Sequence, residues 1–210
     1  LQILGEISDR LWIPHQAALE YQQNRLAVIS EQLQKFSDVK KILDDMEKNL
    51  GNSFHQLQLK KRHSSINPDS FLEKIRVVTQ EFRDDLEILA EMQLKVTSGD
   101  PIREKLDLIL DKKVGEPPKD QTELDQLYNE GEKRYSREIP PGYKDAKKAE
   151  SYSYQGLVIK RKYGDFILWN QLINYAKRDE VKRVIFITDD QKEDWWWIVN
   201  SQGHKTIGPR

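Results

Sequence analysis

Carboxylates stand where strand-like stretches give way to loops or helices, a placement that suits a hard metal ion. Thr188-Asp189-Asp190 follows the apolar run Val184-Ile185-Phe186-Ile187. Glu20 falls about two turns into the helical stretch that follows Arg10-Leu11-Trp12-Ile13. Asp165 opens the stretch that leads back towards Val184. In an open parallel sheet, functional groups collect beyond the carboxyl ends of strands. Acids gathered there raise one another's pKa, and a divalent cation relieves that conflict. All-oxygen ligands select Mg²⁺ or Mn²⁺, and two such ions about 3.5 to 4 Å apart can drive phosphodiester hydrolysis. Zinc is the poorer match, because the chain has no cysteine and only His15, His55, His63 and His204.

Other side chains could serve a nucleic acid. The basic groups Lys60-Lys61-Arg62 and Lys160-Arg161-Lys162, with Lys147 and Lys148, could hold phosphates, although neighbouring acids make a solvated face an equal reading. Trp195, Trp196 and Trp197 could stack on bases. Read as part of a helix over 192–199, they point in different directions, so at least one is expected in the core. A net charge of −1 offers no global field to attract a polyanion, which leaves the task to local patches.

The elements that must position these groups are mixed. Leu1 to Asp9 reads as a helix end, Arg10 to Ile13 as a buried strand, and the residues from His15 as a long amphipathic helix stopping near Gly51-Asn52. Asn67-Pro68-Asp69 reads as a turn and cap. It opens a second long helix, whose apolar stripe Phe71, Ile75, Val78, Phe82, Leu86, Leu89, Met92 and Val96 has coiled-coil spacing and ends at Gly99-Asp100-Pro101. The two stripes could zip into an antiparallel hairpin. Shorter helices are expected over about 101–111 and 121–135.

After Ile139-Pro140-Pro141-Gly142 the patterning turns to mixed α/β. An extended piece is expected over 153–160, a helix over 164–177, a buried strand over 184–187, a helix over 192–199 and a strand over 205–207. That β-α-β alternation predicts a parallel sheet. The high charged fraction, 33%, suits long solvated helices, and no apolar run reaches the roughly 18 residues of a membrane span. The absence of cysteine and of a signal-peptide pattern makes a cytoplasmic location the expectation.

Four stretches together resemble a known family. They are Trp12-Ile13-Pro14-His15-Gln16-Ala17-Ala18-Leu19-Glu20-Tyr21, Pro141-Gly142-Tyr143-Lys144-Asp145, Tyr163-Gly164-Asp165-Phe166-Ile167-Leu168-Trp169 and Phe186-Ile187-Thr188-Asp189-Asp190. They look like the bacterial PIN-like domain family, in the branch where a long helical insertion separates the acids. The resemblance implies an α/β, three-layer fold with a parallel central sheet, interrupted by a coiled-coil-like α-helical insertion. Residues 1–30 would form the first part of that domain, 31–138 the insertion and 139–210 the second part.

It further implies a hydrolase, a Mg²⁺- or Mn²⁺-dependent nuclease cutting RNA or single-stranded DNA. Glu20, Asp165 and Asp190 correspond to its catalytic and metal-holding acids. Asp189 is a neighbour that could share the role of Asp190, while Asp145 is an additional metal ligand and Asp194 a further acid. The family's first strand ends in an aspartate and precedes the helix that ends near Asp9; the opening at Leu1 reads as cut before it, and activity is expected to need that residue. A contrasting expectation is a binding or assembly module, in which the helical hairpin recruits a protein partner.

Overall fold

A computed structural model describes residues 1–59 and 65–209. The basic cluster Lys60-Lys61-Arg62 and His63 lie outside the described residues. The chain forms two compact units, Gln22–Arg103 on the one hand and Leu1–Tyr21 with Glu104–Arg210 on the other. Among the described residues no helix is long and apolar enough to cross a membrane.

Helix α1, Gln2–Glu6, is followed by a 3-10 turn over Ser8–Arg10 and by α2, His15–Gln56. The expected stop at Gly51-Asn52 does not occur, and α2 runs a further turn. Gly51 sits with open space around it. A glycine inside a helix costs only about 1 kcal/mol, too little to end a long one.

In the Gln22–Arg103 unit, α2 pairs with α3, Asp69–Glu91. Asn67 caps the latter's start, its Oδ1 accepting from the Asp69 N–H at 3.0 Å. Lys40 pairs with Glu87, Asp44 and Glu47 with Arg83, and Phe54 with Phe71. Partners on α3 descend as those on α2 ascend, so the helices run antiparallel. The predicted stripe is only partly used for this: Leu86 is buried, whereas Val78, Phe82 and Leu89 are exposed. Helix α3 also ends at Glu91, short of the expected Gly99-Asp100-Pro101. The Asp100 carboxylate instead caps α4, Pro101–Ile109, and pairs with Arg25 at 2.8 Å.

The other unit is organised by α5, Gln121–Tyr135, and α6, Gly164–Ala176. Asp120 caps α5 by accepting from the Glu123 N–H at 2.8 Å. Strands β1, Ser151–Tyr154, and β2, Leu157–Lys160, form a hairpin between the two helices in sequence. Leu19, Leu124, Tyr128, Tyr135, Ile159, Tyr163, Phe166 and Ile167 make the core. Leu124, Ile159 and Ile167 are fully buried, each contributing about 1.5 to 3 kcal/mol by leaving water. The Tyr128 hydroxyl ties α5 to β2, donating to the Val158 carbonyl at 2.9 Å and accepting from the Lys160 N–H at 3.1 Å.

The parallel central sheet expected from the sequence is not found among the described residues. Both sheets are two-stranded and antiparallel, β1 with β2 and β3, Trp196–Ser201, with β4, His204–Pro209. Of the expected strand at Arg10 to Ile13 there remains a single parallel bridge, Ile13 with Val114. The expected helix over 192–199 is instead a turn followed by β3. Trp196, Trp197, Ile198 and Val199 are aromatic or β-branched and favour a pleated surface. Gln202 and Gly203, both at positive φ (50° and 81°), make the tight turn that folds β4 back on β3.

The segment Val184 to Ile187 was expected to be a buried strand and is paired with no neighbour among the described residues. A strand needs a second backbone to satisfy its N–H and C=O groups. Without one, Ile185 and Ile187 stand 87% and 79% exposed, while Phe186 turns inwards between Trp169 and Trp195.

Candidate functional site

Three short segments bring the acids together. The first is the loop at Gly142, which leads into a 3-10 turn over Tyr143–Lys147. The second is the start of α6. The third is the turn that follows Asp190.

Asp194 fastens the first segment to the third. Its carbonyl accepts from the Gly142 N–H at 3.2 Å, and its Oδ2 accepts from the Lys144 N–H at 3.1 Å. Lys144 and Glu193 add an ion pair across the same junction. Asp194 is fully buried, and its second oxygen, Oδ1, has no hydrogen-bond partner among the described residues. Leaving a carboxylate oxygen in that state is costly.

Asp165 lies in the first turn of α6, where the helix dipole favours a negative charge. Its Oδ2 accepts from the Trp195 indole N–H at 3.1 Å. The Gly142 backbone abuts it: a β-carbon on Gly142 would fall 2.7 Å from Asp165 Cβ. Burial raises the Asp165 carboxyl above its usual range, and the charges of Asp145 and Glu20 push the same way, against the indole N–H and Lys192.

Glu20 reaches the same helix end from α2. Its Oε1 accepts from Gln16 Nε2 at 2.7 Å and packs on the α-carbon of Gly164, where a β-carbon would stand 2.4 Å away. Gln16 is itself held by α6, its N–H donating to Gln171 Oε1 at 2.9 Å.

Asp190 closes its own turn. Its N–H donates to Thr188 Oγ1 at 3.1 Å and its Oδ1 accepts from the Lys192 N–H at 2.7 Å. The Lys192 ammonium then sits 3.1 Å from Asp190 Oδ2 and 3.8 Å from Asp165 Oδ2. Burial disfavours that charge. Even so, the hydrogen bond to Asp190 and the carboxylates of Asp165, Asp194 and Asp145 raise the Lys192 pKa above its ordinary value.

Of the acids expected from the sequence, Asp165 and Asp190 therefore meet on one cation, with Asp145, Asp194 and Glu20 in the same electrostatic field. Asp145 is engaged by Lys148 at 2.7 Å. Asp189 falls on the exposed side of the alternation and does not join them. Lys192 went unremarked in the sequence, although its place between two aspartates, Asp190-Gln191-Lys192-Glu193-Asp194, was a signal for it. The tryptophans expected on a helix lie instead on a turn and strand: Trp195 holds Asp165 and Trp197 is 56% exposed.

As a test of metal fit, the donor chemistry is suitable. Each acid offers only oxygen, Asp194 Oδ1 is buried without a partner, and two aspartates already converge on a positive charge. Among the described residues, however, no group of three or more His, Cys, Asp or Glu is arranged to hold an ion. A cleft of about 210 Å³ elsewhere in this unit, between Trp12, Pro117 and residues Asn170, Asn174 and Tyr175 of α6, contains none of these acids.

The described residues are largely helical with two small antiparallel sheets, and acids gather at the start of α6. A family model described as "PIN like domain" matches residues 1–210, and the chain belongs to the PIN-like domain family. No curated protein and no solved structure matches it.

Proposed function

We propose that the protein is a metal-dependent nuclease acting on RNA or single-stranded DNA, with Glu20, Asp165 and Asp190 as its principal acids and Asp145 and Asp194 beside them. The convergence of Asp165 and Asp190 on one cation at the start of α6 carries this reading. Membership of a family whose members are in general nucleases supports it. A bound Mg²⁺ or Mn²⁺ would supply polarisation of a phosphoryl oxygen and activation of water.

The chain's own residues prepare that chemistry. Trp195 orients Asp165, Gln16 fixes the Glu20 carboxylate, and the buried Asp194 holds the loop that carries Asp145. Asp189, facing solvent, is left as a contact for substrate or an exchanging ligand. In this reading Val184 to Ile187 joins the parallel sheet of the PIN-like fold when a neighbouring strand lies beside it. Its apolar, unpaired run supports that placement.

The test is cleavage of labelled RNA and single-stranded DNA by the full-length protein with Mg²⁺ or Mn²⁺. Asp190→Asn and Asp165→Asn should each lower the rate by at least about a hundredfold, and a chelator should abolish it. Unchanged cleavage in Asp190→Asn would overturn the assignment. The second reading, a protein-binding module, draws on the exposed Val78, Phe82 and Leu89 of α3. It would gain if cleavage were absent and substitutions of those residues abolished an association.

A further inference from the structure

The most unusual member of the acid cluster is its base. Lys192 Nζ lies 3.1 Å from Asp190 Oδ2 and 3.8 Å from Asp165 Oδ2, contacts that bridge two separate segments of chain. It is also within the field of Asp145 and Asp194. The carboxylate oxygen Asp194 Oδ1, in a fully buried residue, has no partner of its own among the described residues. Asp145 has a partner of its own in Lys148 at 2.7 Å, which leaves Lys192 as the cation that Asp165 and Asp190 share. The Lys192 side chain is 48% exposed, so its flexible stem has room to swing into solvent.

We propose that the Lys192 ammonium is a resident stand-in for the divalent ion: it holds Asp165 and Asp190 together in the metal-free domain and is displaced when the ion binds. This rests on the metal-dependent reading above and adds to it a residue that is not itself a ligand. An ion held by Asp165 and Asp190 would compete with the ammonium for the same Oδ2 atoms and repel it, so the affinity for the ion is lowered by whatever the two Lys192 pairs are worth. Loss of a partly exposed pair, with repulsion between the ammonium and a doubly charged ion added to it, points to an effect of about tenfold.

The experiment is calorimetric titration of Mn²⁺ into the full-length protein and its Lys192→Met and Lys192→Arg variants, with thermal unfolding as the check that each variant folds. Lys192→Met should bind Mn²⁺ about tenfold more tightly than the parent, while Lys192→Arg, which keeps the charge, should stay within about threefold of it. In the absence of metal, Lys192→Met should also melt lower than the parent, and saturating Mn²⁺ should remove that difference. Folded Lys192→Met binding Mn²⁺ no more tightly than the parent would overturn the proposal and leave the metal reading intact. Failure of all three folded proteins to bind Mn²⁺ would overturn both.

Discussion

Gly142 is the position where a single methyl group should do most damage. It has φ of +85°, and a β-carbon there would lie 2.7 Å from Asp165 Cβ and 2.7 Å from the Tyr135 hydroxyl oxygen. Neither neighbour can retreat easily. Tyr135 is buried with its hydroxyl donating to the Lys162 carbonyl at 3.0 Å, and Asp165 is fixed by Trp195. The left-handed conformation alone costs a non-glycine residue about 1 to 2 kcal/mol, and overpacking adds about 1 to 3. Gly142→Ala should therefore lose about 2 to 5 kcal/mol, or roughly 5 to 15 °C in melting temperature for a chain of this size. Gly156→Ala is the matched control. Gly156 has φ of +81° and open space where the β-carbon would go, so it should pay the conformational part only. Scanning calorimetry of the two variants separates the terms. If Gly142→Ala melts no lower than Gly156→Ala, the close packing of the Gly142 loop against Asp165 is refuted.

Two further predictions concern the body of the same unit. Tyr128→Phe removes both the donor to Val158 and the acceptor for Lys160, and should cost about 1 to 3 kcal/mol in urea unfolding; a loss below about 0.5 kcal/mol would contradict the bridging role. His15 is buried with Nδ1 unpartnered among the described residues, and burial lowers its pKa despite the opposing charge of Glu116. Its folded pKa lies below the unfolded value of 6.5, so the unfolded chain takes up the proton first as pH falls. The contribution to stability is complete above that value and is lost as pH drops through it towards the folded pKa. His15→Gln should accordingly show a smaller fall in urea midpoint between about pH 7.5 and 5.5 than the parent, and equal falls would remove His15 from the account.

Helices were the most legible part of the sequence, because each carries its own periodicity. The starts of α2, α3, α5 and α6 follow from the apolar spacing and from signals such as Asn67-Pro68-Asp69. What periodicity could not supply was partnership. Val184 to Ile187 has the composition of a buried strand, yet burial depends on a neighbouring backbone that composition does not specify. The helix expected over 192–199 gives way to a turn and strand that the sequence signals only weakly, because the turn at Gln202-Gly203 lacks the more familiar Asn-Gly or Asp-Gly pair, although Gln155-Gly156 closes the first hairpin in the same way. At the site, the acids could be read one strand end or helix start at a time. The run Asp190 to Asp194 pointed locally to Lys192, but its pairing with Asp165, 27 positions away, lies beyond any local pattern.

The hydrogen bond from the Trp195 indole to Asp165 has an optical consequence. The ring is stacked on Phe186, with centroids 5.4 Å apart, and meets Trp169 edge-on at 6.0 Å. An indole whose N–H is bonded to a carboxylate emits according to where that charge sits. Any reorientation of Asp165 would therefore be written into the intrinsic fluorescence, and Trp195→Phe would mark which part of the emission belongs to it. The protein carries its own dye at the centre of its acid cluster, so that events there can be followed in real time without a label.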